Sequence, residues 1–382
     1  MDRNGLDLIA ADDPRIESIW RALEAQAQPS YFLTWGWIEN WLAALPAEER
    51  PSLAVISNGG EPAAAFFLAQ RRVRRNFVLQ SNALFFNATG SPRHDEVAIE
   101  HNGMLAAPGA RRSLSGLLEM LPAEWDELYL PAIDRYAFDD LGAPTSPLAT
   151  RYKVSLEREV SAPFVDLDAV RNVDGGYEAL LHPSTRTQLH RARDIAGDVE
   201  IEIAEDEDHA MDIWGELLRL HARRWASRGL RGAFASSWFE QFHRRLISSR
   251  LRHGEIQLVR VSSGNKTLGC LYNLVSHGRV MFYQCGLASL DNPFAKAGYL
   301  CHAVAIEHNA RAGHAIYDLV GGRARYKENL ATGASRLVWV RVQRPLARFS
   351  IEENLRRWKD MLLGEPAPGA FIGEPLLDPK AA

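Results

Sequence analysis

Residues 255–289 read EIQLVRVSSGNKTLGCLYNLVSHGRVMFYQCGLAS. Apolar and polar residues alternate along this run, and Ser263-Gly264-Asn265 and His277-Gly278 interrupt it. The pattern predicts three antiparallel strands joined by two tight turns. A helical pattern over 294–312 and the strand-like AIYDLVGG at 315–322 follow. Upstream, SSWFEQFHRRLISSRLRHG (236–254) reads as a helix closed by Gly254, and EDHAMDIWGELLRLHARRWASRG (207–229) as a long helix ending at or shortly before Gly229. VEIEIAE (199–205) is a strand, preceded by a basic helix, PSTRTQLHRARDIAG (183–197). From 199 onward the order is β-α-α-β-β-β-α-β.

The first half repeats that order without a residue-level repeat. LDLIA (6–10) is a short strand, and Asp12, Asp13 and Pro14 lead into the helical RIESIWRALEAQ. In SYFLTWGWIENWLAAL, Ser30 is a candidate cap, and Trp37, Trp41, Leu42 and Leu45 share one face. PSLAVIS and EPAAAFFLAQRRV flank Asn58-Gly59-Gly60 as a hairpin, 77–106 is strand-rich, 111–121 helical, and WDELYLPAI a strand. A stretch rich in Pro, Gly, Ala and Thr between about 139 and 163 reads as the linker. The expected fold is α/β, with two tandem domains, each a mixed, mostly antiparallel sheet flanked by helices, and with the cleft between the sheets or within the second. The expected limits are 1–150, structural or acceptor-side, 151–348, carrying the chemistry, and 349–382, a C-terminal helix and tail with Leu355, Trp358 and Leu362 on one face.

Composition narrows the function classes. The chain is 46% hydrophobic and 24% charged, as a globular protein is. Its 44 Lys and Arg against 48 Asp and Glu give a net charge of −4, which draws it neither to DNA nor to anionic lipid, so an anionic ligand needs a local cluster. Cys270, Cys285 and Cys301 have no CxxC spacing, and no HExxH, Walker, GxSxG or dinucleotide glycine motif occurs. Glu307-His308 are adjacent on a helix and point apart, so no metal is expected. The acidic N-terminus and the absence of an apolar run of about 20 residues lead us to expect no transmembrane segment and a cytoplasmic location.

Three segments, spanning about 183–333, resemble the acetyltransferase-like family of CelD-type proteins of bacterial cellulose biosynthesis. They are PSTRTQLHRAR, the run LHARRWASRGLRGAFASSWFEQFHRRL with Leu220-His221-x-x-Arg224-Trp225-x-x-x-Gly229, and the stretch ending in Asp318-x-x-x-Gly322 and Tyr326-Lys327. In the first half only the layout is similar, including Thr34-Trp35-Gly36-Trp37 and Ile99-Glu100-His101-Asn102. The family is related to the GNAT superfamily and to the tandem-GNAT FemABX aminoacyltransferases. The resemblance implies an acyltransferase using acetyl-CoA or another acyl-CoA, with an amine, hydroxyl, small-molecule or saccharide acceptor, possible service in exopolysaccharide or cell-envelope synthesis among its expectations. A FemABX-like use of aminoacyl-tRNA is disfavoured by the net charge and by the lack of a heptad run. A non-catalytic accessory role is the third reading.

GNAT proteins hold the donor pyrophosphate with an Arg/Gln-x-x-Gly-x-Gly/Ala loop before a helix. Here Asn292-Pro293-Phe294-Ala295-Lys296-Ala297-Gly298-Tyr299 stands in that place and keeps one lysine and one glycine, so Lys296, Ala297, Gly298 and Tyr299 are the cofactor-binding candidates. The catalytic candidates are Asp318, Tyr326 and Lys327. Asp318 either orients or deprotonates the acceptor, or hydrogen-bonds the glycine turn. Tyr326 is a proton donor to the departing thiolate or a packed ring, and Lys327 an oxyanion or phosphate ligand or a snorkelling side chain. His221, Arg224 and Arg186 are substrate-binding candidates. His221, Arg224 and Trp225 share a helix face, and Arg186 belongs to a basic group with His190, Arg191 and Arg193 that is otherwise a solvated face. His190 with Asp194 matches a His-x-x-x-Asp pattern but sits on a helix, and Cys285 has no neighbour in sequence that would activate a thiol.

Overall fold

The computed structural model describes residues 5–75, 79–97, 99–110, 113–141, 147–290, 292, 294–322 and 324–352. The described residues form two compact units, one made of those up to Glu159 together with 336–352, the other of Val160–Ser335. Both are α/β, and the strands of each, parts of one 13-stranded mixed sheet, are antiparallel except at one place.

The first unit contains β1 (Leu6–Ile9), α1 (Arg15–Glu24), α2 (Trp35–Ala44), β2 (Ser52–Asn58), β3 (Glu61–Arg75), β4 (Leu79–Phe86), the short β5 (Leu105–Ala106), α3 (Leu114–Met120), β6 (Glu127–Asp134) and α4 (Pro147–Arg151). Its sheet runs β1-β2-β3-β4-β6, β5 pairing with β3, and only β4 and β6 are parallel. In α1, Ile16, Trp20 and Leu23 recur at helical spacing and are buried. The Trp20 indole N–H donates to the Leu33 carbonyl at 2.9 Å, and its ring lies 5.0 Å from Phe67 of β3, so the polar end of a large apolar group is satisfied inside the core. The cap of α2 is Thr34, whose hydroxyl accepts from the Trp37 N–H, and not Ser30, which precedes an intervening 3-10 turn, Tyr31–Leu33.

Strand β7 (Lys153–Asp166) begins in the first unit and ends in the second. The second unit continues with α5 (Leu167–Asn172), α6 (Pro183–Ala196), β8 (Glu200–Ile203), α7 (Glu207–Ala226), α8 (Ser237–Arg250), β9 (Ile256–Ser263), β10 (Lys266–Ser276), β11 (Arg279–Leu287), α9 (Ala297–Arg311), β12 (Ile316–Asp318) and α10 (Arg325–Leu330). Strand β13 (Gly333–Gln343) then starts in the second unit and finishes in the first, where it pairs antiparallel with β6. The second sheet runs β7-β12-β11-β10-β9-β8, and only β11 and β12 are parallel.

The three antiparallel strands expected over 255–289 are β9, β10 and β11. Their alternation is a two-face pattern. Val259, Val261, Leu271, Val280 and Phe282 pack with α5, α6 and α9. On the other face, Tyr272 meets Trp214 of α7 at 5.5 Å, and Gly286 lies under Leu217 and Leu220 of the same helix. Helix α7 is fixed at its start by Asp206, which accepts from the His209 N–H at 2.9 Å, and by Glu207 and Asp208 in the first turn.

Three expectations differ from the structure. The segment 153–163, expected within a linker, is part of β7, because its Pro, Ala and Ser residues sit in an alternating run that carries Val154, Leu156, Val160 and Phe164. No strand was expected at 333–343, yet β13 is there, with Leu337, Val338, Val340 and Val342 fully buried. Of the amphipathic helix expected from 349, residues 349–352 are helical, and Leu355, Trp358 and Leu362 lie outside the described residues.

Two stability outcomes follow from this packing. A Cβ at Gly286 would stand 2.3 Å from the Leu217 carbonyl oxygen, so Gly286→Ala must push α7 off β11. Chemical denaturation of that variant is expected to show a loss of at least about 1–3 kcal/mol. Three buried histidines make the second unit acid-labile. Burial lowers His221 to about 4, with Arg224 adding to the effect, and His302 to about 3, with Lys327 adding; burial also lowers His243. The unfolded chain therefore takes up protons below about pH 6.5 that the folded one refuses until pH 4 or lower. Stability is intact near neutrality and falls as the pH drops from 6.5 towards 4. His302→Phe is expected to reduce the difference between urea midpoints at pH 7 and pH 4.5.

Candidate active site

The parallel pair in the second unit is short. Arg279, Val280 and Met281 of β11 stand opposite Ile316, Tyr317 and Asp318 of β12, and there the pairing stops. Strand β11 runs on to Leu287, so its edge from Phe282 to Leu287 continues beyond the pairing with β12. The ladder with β10 shifts register at Tyr272/Asn273, which gives β11 one extra residue, Tyr283, and bends it just beyond that pairing.

After β12 comes a strained turn. Val320 has φ +52°, a left-handed conformation that is an outlier for a β-branched residue. Asp318, 1% exposed, accepts from the Val320 N–H at 2.8 Å through Oδ1 and pairs with the Arg279 guanidinium at 2.6 Å through Oδ2. Lys327, also buried, donates from Nζ to the Gly321 carbonyl at 2.9 Å and lies 5.9 Å from the Phe282 ring. Both groups hold the turn in place.

Behind the turn stand Tyr326 and His302. The His302 ring is parallel to that of Tyr326 at 5.6 Å and edge-on to Phe282 at 4.5 Å. Its Nδ1 is 3.2 Å from the Tyr317 hydroxyl, and its buried Nε2 has no hydrogen-bond partner. Burial pushes the Tyr326 phenol well above its usual range, Cys285 adding to this and Arg224 opposing it. Burial also pushes the Cys285 thiol up to about 11, against the pull of Arg224 and Lys327, so it is a neutral wall and not a nucleophile. Arg224 thus acts electrostatically on both Cys285 and Tyr326.

Helix α9 begins at the same end of β11. Lys296, exposed and at φ +31°, is its cap, and the Ala297 and Gly298 N–H groups belong to the first turn, where a helix has no acceptor of its own for them. A Cβ at Gly298 would be 3.1 Å from Leu287 Cδ1, so glycine lets the helix start close against the strand end. Tyr299 accepts at its hydroxyl from Asn329 at 2.8 Å. Pro293 of the expected phosphate loop lies outside the described residues.

On the opposite face, α7 runs alongside β11. His221, 4% exposed, packs on Phe234 at 4.8 Å and Trp225 at 5.8 Å, and is core. Arg224 is half-buried on the same helix face. Arg186 is elsewhere in function: its guanidinium donates to the Glu178, Ala179 and Leu181 carbonyls at 2.9, 3.2 and 3.1 Å, a strap on the backbone that leaves it little for a substrate. His190 and Arg193 pair with Glu178, and Arg191 lies 3.4 Å over the ring of Phe294. Of the residues singled out in the sequence, Lys296, Ala297, Gly298 and Tyr299 stand at the start of α9, Asp318, Tyr326 and Lys327 at the turn after β12, and Arg224 on α7; His302, Phe282, Arg279, Val320 and Gly286 were not singled out. Only Gly286 left a signal, a glycine inside an otherwise apolar strand.

The first unit has a parallel pair of the same length. Ala83, Leu84 and Phe85 of β4 pair in parallel with Glu127, Leu128 and Tyr129 of β6 over three positions. Beyond them Asn102 fills the space, its Nδ2 donating to the Phe86 carbonyl at 3.3 Å and the Pro131 carbonyl at 2.9 Å, and its backbone N–H to the Ala132 carbonyl at 3.0 Å. Asn87 locks it there, donating to Asn102 Oδ1 and the Gly103 carbonyl, each at 2.8 Å. A depression beside Tyr129 has charged walls, but Arg341 pairs with both Glu127 and Glu157. Among the described residues, no group of three or more His, Cys, Asp or Glu is placed to hold a metal, and no helix is long and apolar enough to cross a membrane.

Comparison with known proteins bears on the fold. The acetyltransferase (GNAT) domain family matches residues 183–328, which take in α6 through most of α10. No match is found among curated protein sequences. Among solved structures, a conserved protein of unknown function from Bacteroides thetaiotaomicron VPI-5482 is similar with a TM-score of 0.53 at 8% identity, over 90% of this chain and 100% of that one. FemX is similar with a TM-score of 0.51 at 10% identity, over 84% and 95%. The C-terminal domain of a putative lysylphosphatidylglycerol synthetase from Agrobacterium fabrum gives 0.48 at 12% identity, over 93% and 98%. Residues 183–328 thus match the acetyltransferase (GNAT) domain family, and the chain as a whole has an α/β fold with mixed, mostly antiparallel strands flanked by helices.

Proposed function

We propose that the second unit transfers an acyl group from acyl-CoA to an amine or hydroxyl, with the donor lying along the β11 edge beyond its pairing with β12. The observation that carries this reading is the contrast between two like strand pairs, one open beside a helix start, the other sealed by Asn87 and Asn102. The first turn of α9, with Lys296, Ala297 and Gly298, receives the donor phosphates, since N–H groups and a positive helix end favour anions. The thioester then reaches the β11 edge near Cys285. The acceptor's nitrogen or oxygen attacks the carbonyl carbon, the new C–N or C–O bond forms as the C–S bond breaks, the electron pair goes to sulfur, and the acceptor's proton leaves to solvent. Tyr326 keeps its proton at neutral pH and donates a hydrogen bond to the sulfur as charge develops there. Asp318 and Lys327 act through the turn they hold. Tyr299 supports the donor end through Asn329, and His221 supports Arg224.

The first unit, which takes in the expected 1–150 and extends beyond it, is then a structural or acceptor-side domain and not a second donor site. The CelD-type resemblance supports a saccharide or envelope-polymer precursor as acceptor. An aminoacyl-tRNA donor is distinguished by a steep fall of binding with salt.

Acetyl-CoA at 100 times its dissociation constant is expected to stabilise the protein by about 2.7 kcal/mol in a thermal-shift titration, with one molecule bound per chain. The shift should vanish in Lys296→Ala/Gly298→Trp. An unshifted wild type at millimolar acetyl-CoA would reject the donor assignment. Tyr326→Phe is expected to keep that shift and lower kcat by about 10²-fold, measured as thiol release. Full turnover in this variant would remove the phenol from the reaction.

A further inference from the structure

The Tyr326 ring is half-buried, and its hydroxyl has no hydrogen-bond partner among the described residues. Packing alone therefore sets the direction of the phenol. One face of the ring lies against His302, with the centroids 5.6 Å apart and the planes 23° from parallel. Tyr326 is on α10 and His302 on α9, so a side chain of one helix is steadied by a side chain of another.

His302 is itself held on two further sides. Phe282 of β11 meets it edge-on at 4.5 Å, with the planes at 89°. Its Nδ1 lies 3.2 Å from the Tyr317 hydroxyl. Tyr317 is fully buried on β12, a strand paired on both edges, with β11 and with β7, so the tether ends inside the sheet. A hydrogen bond and two rings thus fix the imidazole.

The second nitrogen argues that the imidazole is more than filling. Nε2 is buried and without a hydrogen-bond partner. Neither tautomer cures this: as an N–H it lacks an acceptor, and as a bare nitrogen it lacks a donor. Burying such an atom costs stability that an apolar side chain of similar size avoids. What the imidazole has and leucine lacks is a flat face and a tether for it. Burial, with Lys327 adding to the effect, keeps the ring uncharged near neutrality, so it acts on Tyr326 by shape and not by charge. Helix α9 also begins at Lys296, so one helix carries both the proposed donor anchor and this flat support.

We propose that His302 is a positioning residue, which, tethered by Tyr317, holds the Tyr326 ring with its hydroxyl directed at the departing sulfur. As the C–S bond breaks, the phenol O–H donates to sulfur, and His302 neither gains nor loses a proton. The direction towards sulfur rests on the role assigned to Tyr326 above; the holding of the ring does not, and is measured without donor.

Two measurements on the full chain test this. In the first, 3-fluorotyrosine replaces Tyr326 and its fluorine resonance is recorded without ligand. In His302→Leu the line is expected to narrow and to move towards the position of the free amino acid, and in His302→Phe, which keeps a flat face, to stay broad and shifted. An unchanged line in His302→Leu overturns the proposal. The second is thiol release from acetyl-CoA with hydroxylamine as the acceptor. His302→Leu is expected to lower kcat about tenfold with the dissociation constant of acetyl-CoA unchanged, and His302→Phe to recover most of the loss. In a Tyr326→Phe background the leucine substitution should have no further effect, because the group it misplaces is gone. An equal loss in both backgrounds, or a loss that appears in acetyl-CoA binding, marks a merely structural residue and overturns the proposal. Full turnover in Tyr326→Phe alone, or no turnover in any form of the protein, with the fluorine line still released by His302→Leu, would count against the proposed reaction and not against the hold on the ring.

Discussion

Everything at the site of the second unit depends on how closely α7 lies on β11. Gly286 is the point of contact, where the Leu217 carbonyl comes within 2.3 Å of the place a Cβ would occupy. A helix normally rides on a sheet at the distance set by side chains. Here one missing side chain lowers it onto the strand, so that residues one and two turns further along reach the strand's free edge. That is how Arg224, on a helix at one face, comes to influence Cys285 and Tyr326, which pack with the helices of the other. The packing link and the electrostatic link have the same origin.

The two units show what a diverging pair of parallel strands requires. Backbone groups along a strand edge must find partners or solvent. In the first unit the partners are built in: Asn102 bonds to the ends of β4 and β6, and Asn87 fixes Asn102. In the second unit the equivalent strands are kept apart by a turn that stores strain at Val320, stabilised from two sides by Asp318 and Lys327. Backbone strain of about 1–3 kcal/mol persists only where surrounding bonds determine it.

Much of this was legible in the sequence because it is local. The alternation over 255–289 gives β9, β10 and β11 directly, and the same element order in both halves gives two like units. The site was legible where chain order and space coincide: Lys296 and Gly298 begin a helix, and Tyr326 and Lys327 follow the glycine turn. It was not legible where residues meet across elements. Nothing in the sequence of α9 says that His302 will stack on Tyr326, and Arg186 looks like a ligand for an anion until its backbone acceptors are seen. Strands β7 and β13 were missed for another reason. Each serves two units, so neither reads as the closing strand of one, and the Pro163 and Ala162 of β7 resemble a linker. Asn87 and Asn102 are 15 positions apart and gave no sign of being a plug.

Hydrogen exchange, followed by mass spectrometry with and without saturating acetyl-CoA, tests the central claim most directly, because it reads the strand edge itself. The predicted result is slowed exchange in peptides covering 282–287 and 297–299, with the peptides covering 83–86 and 99–103 unchanged. Protection that is absent from β11, or that appears in the first unit, would contradict the assignment of the donor to the β11 edge beyond β12.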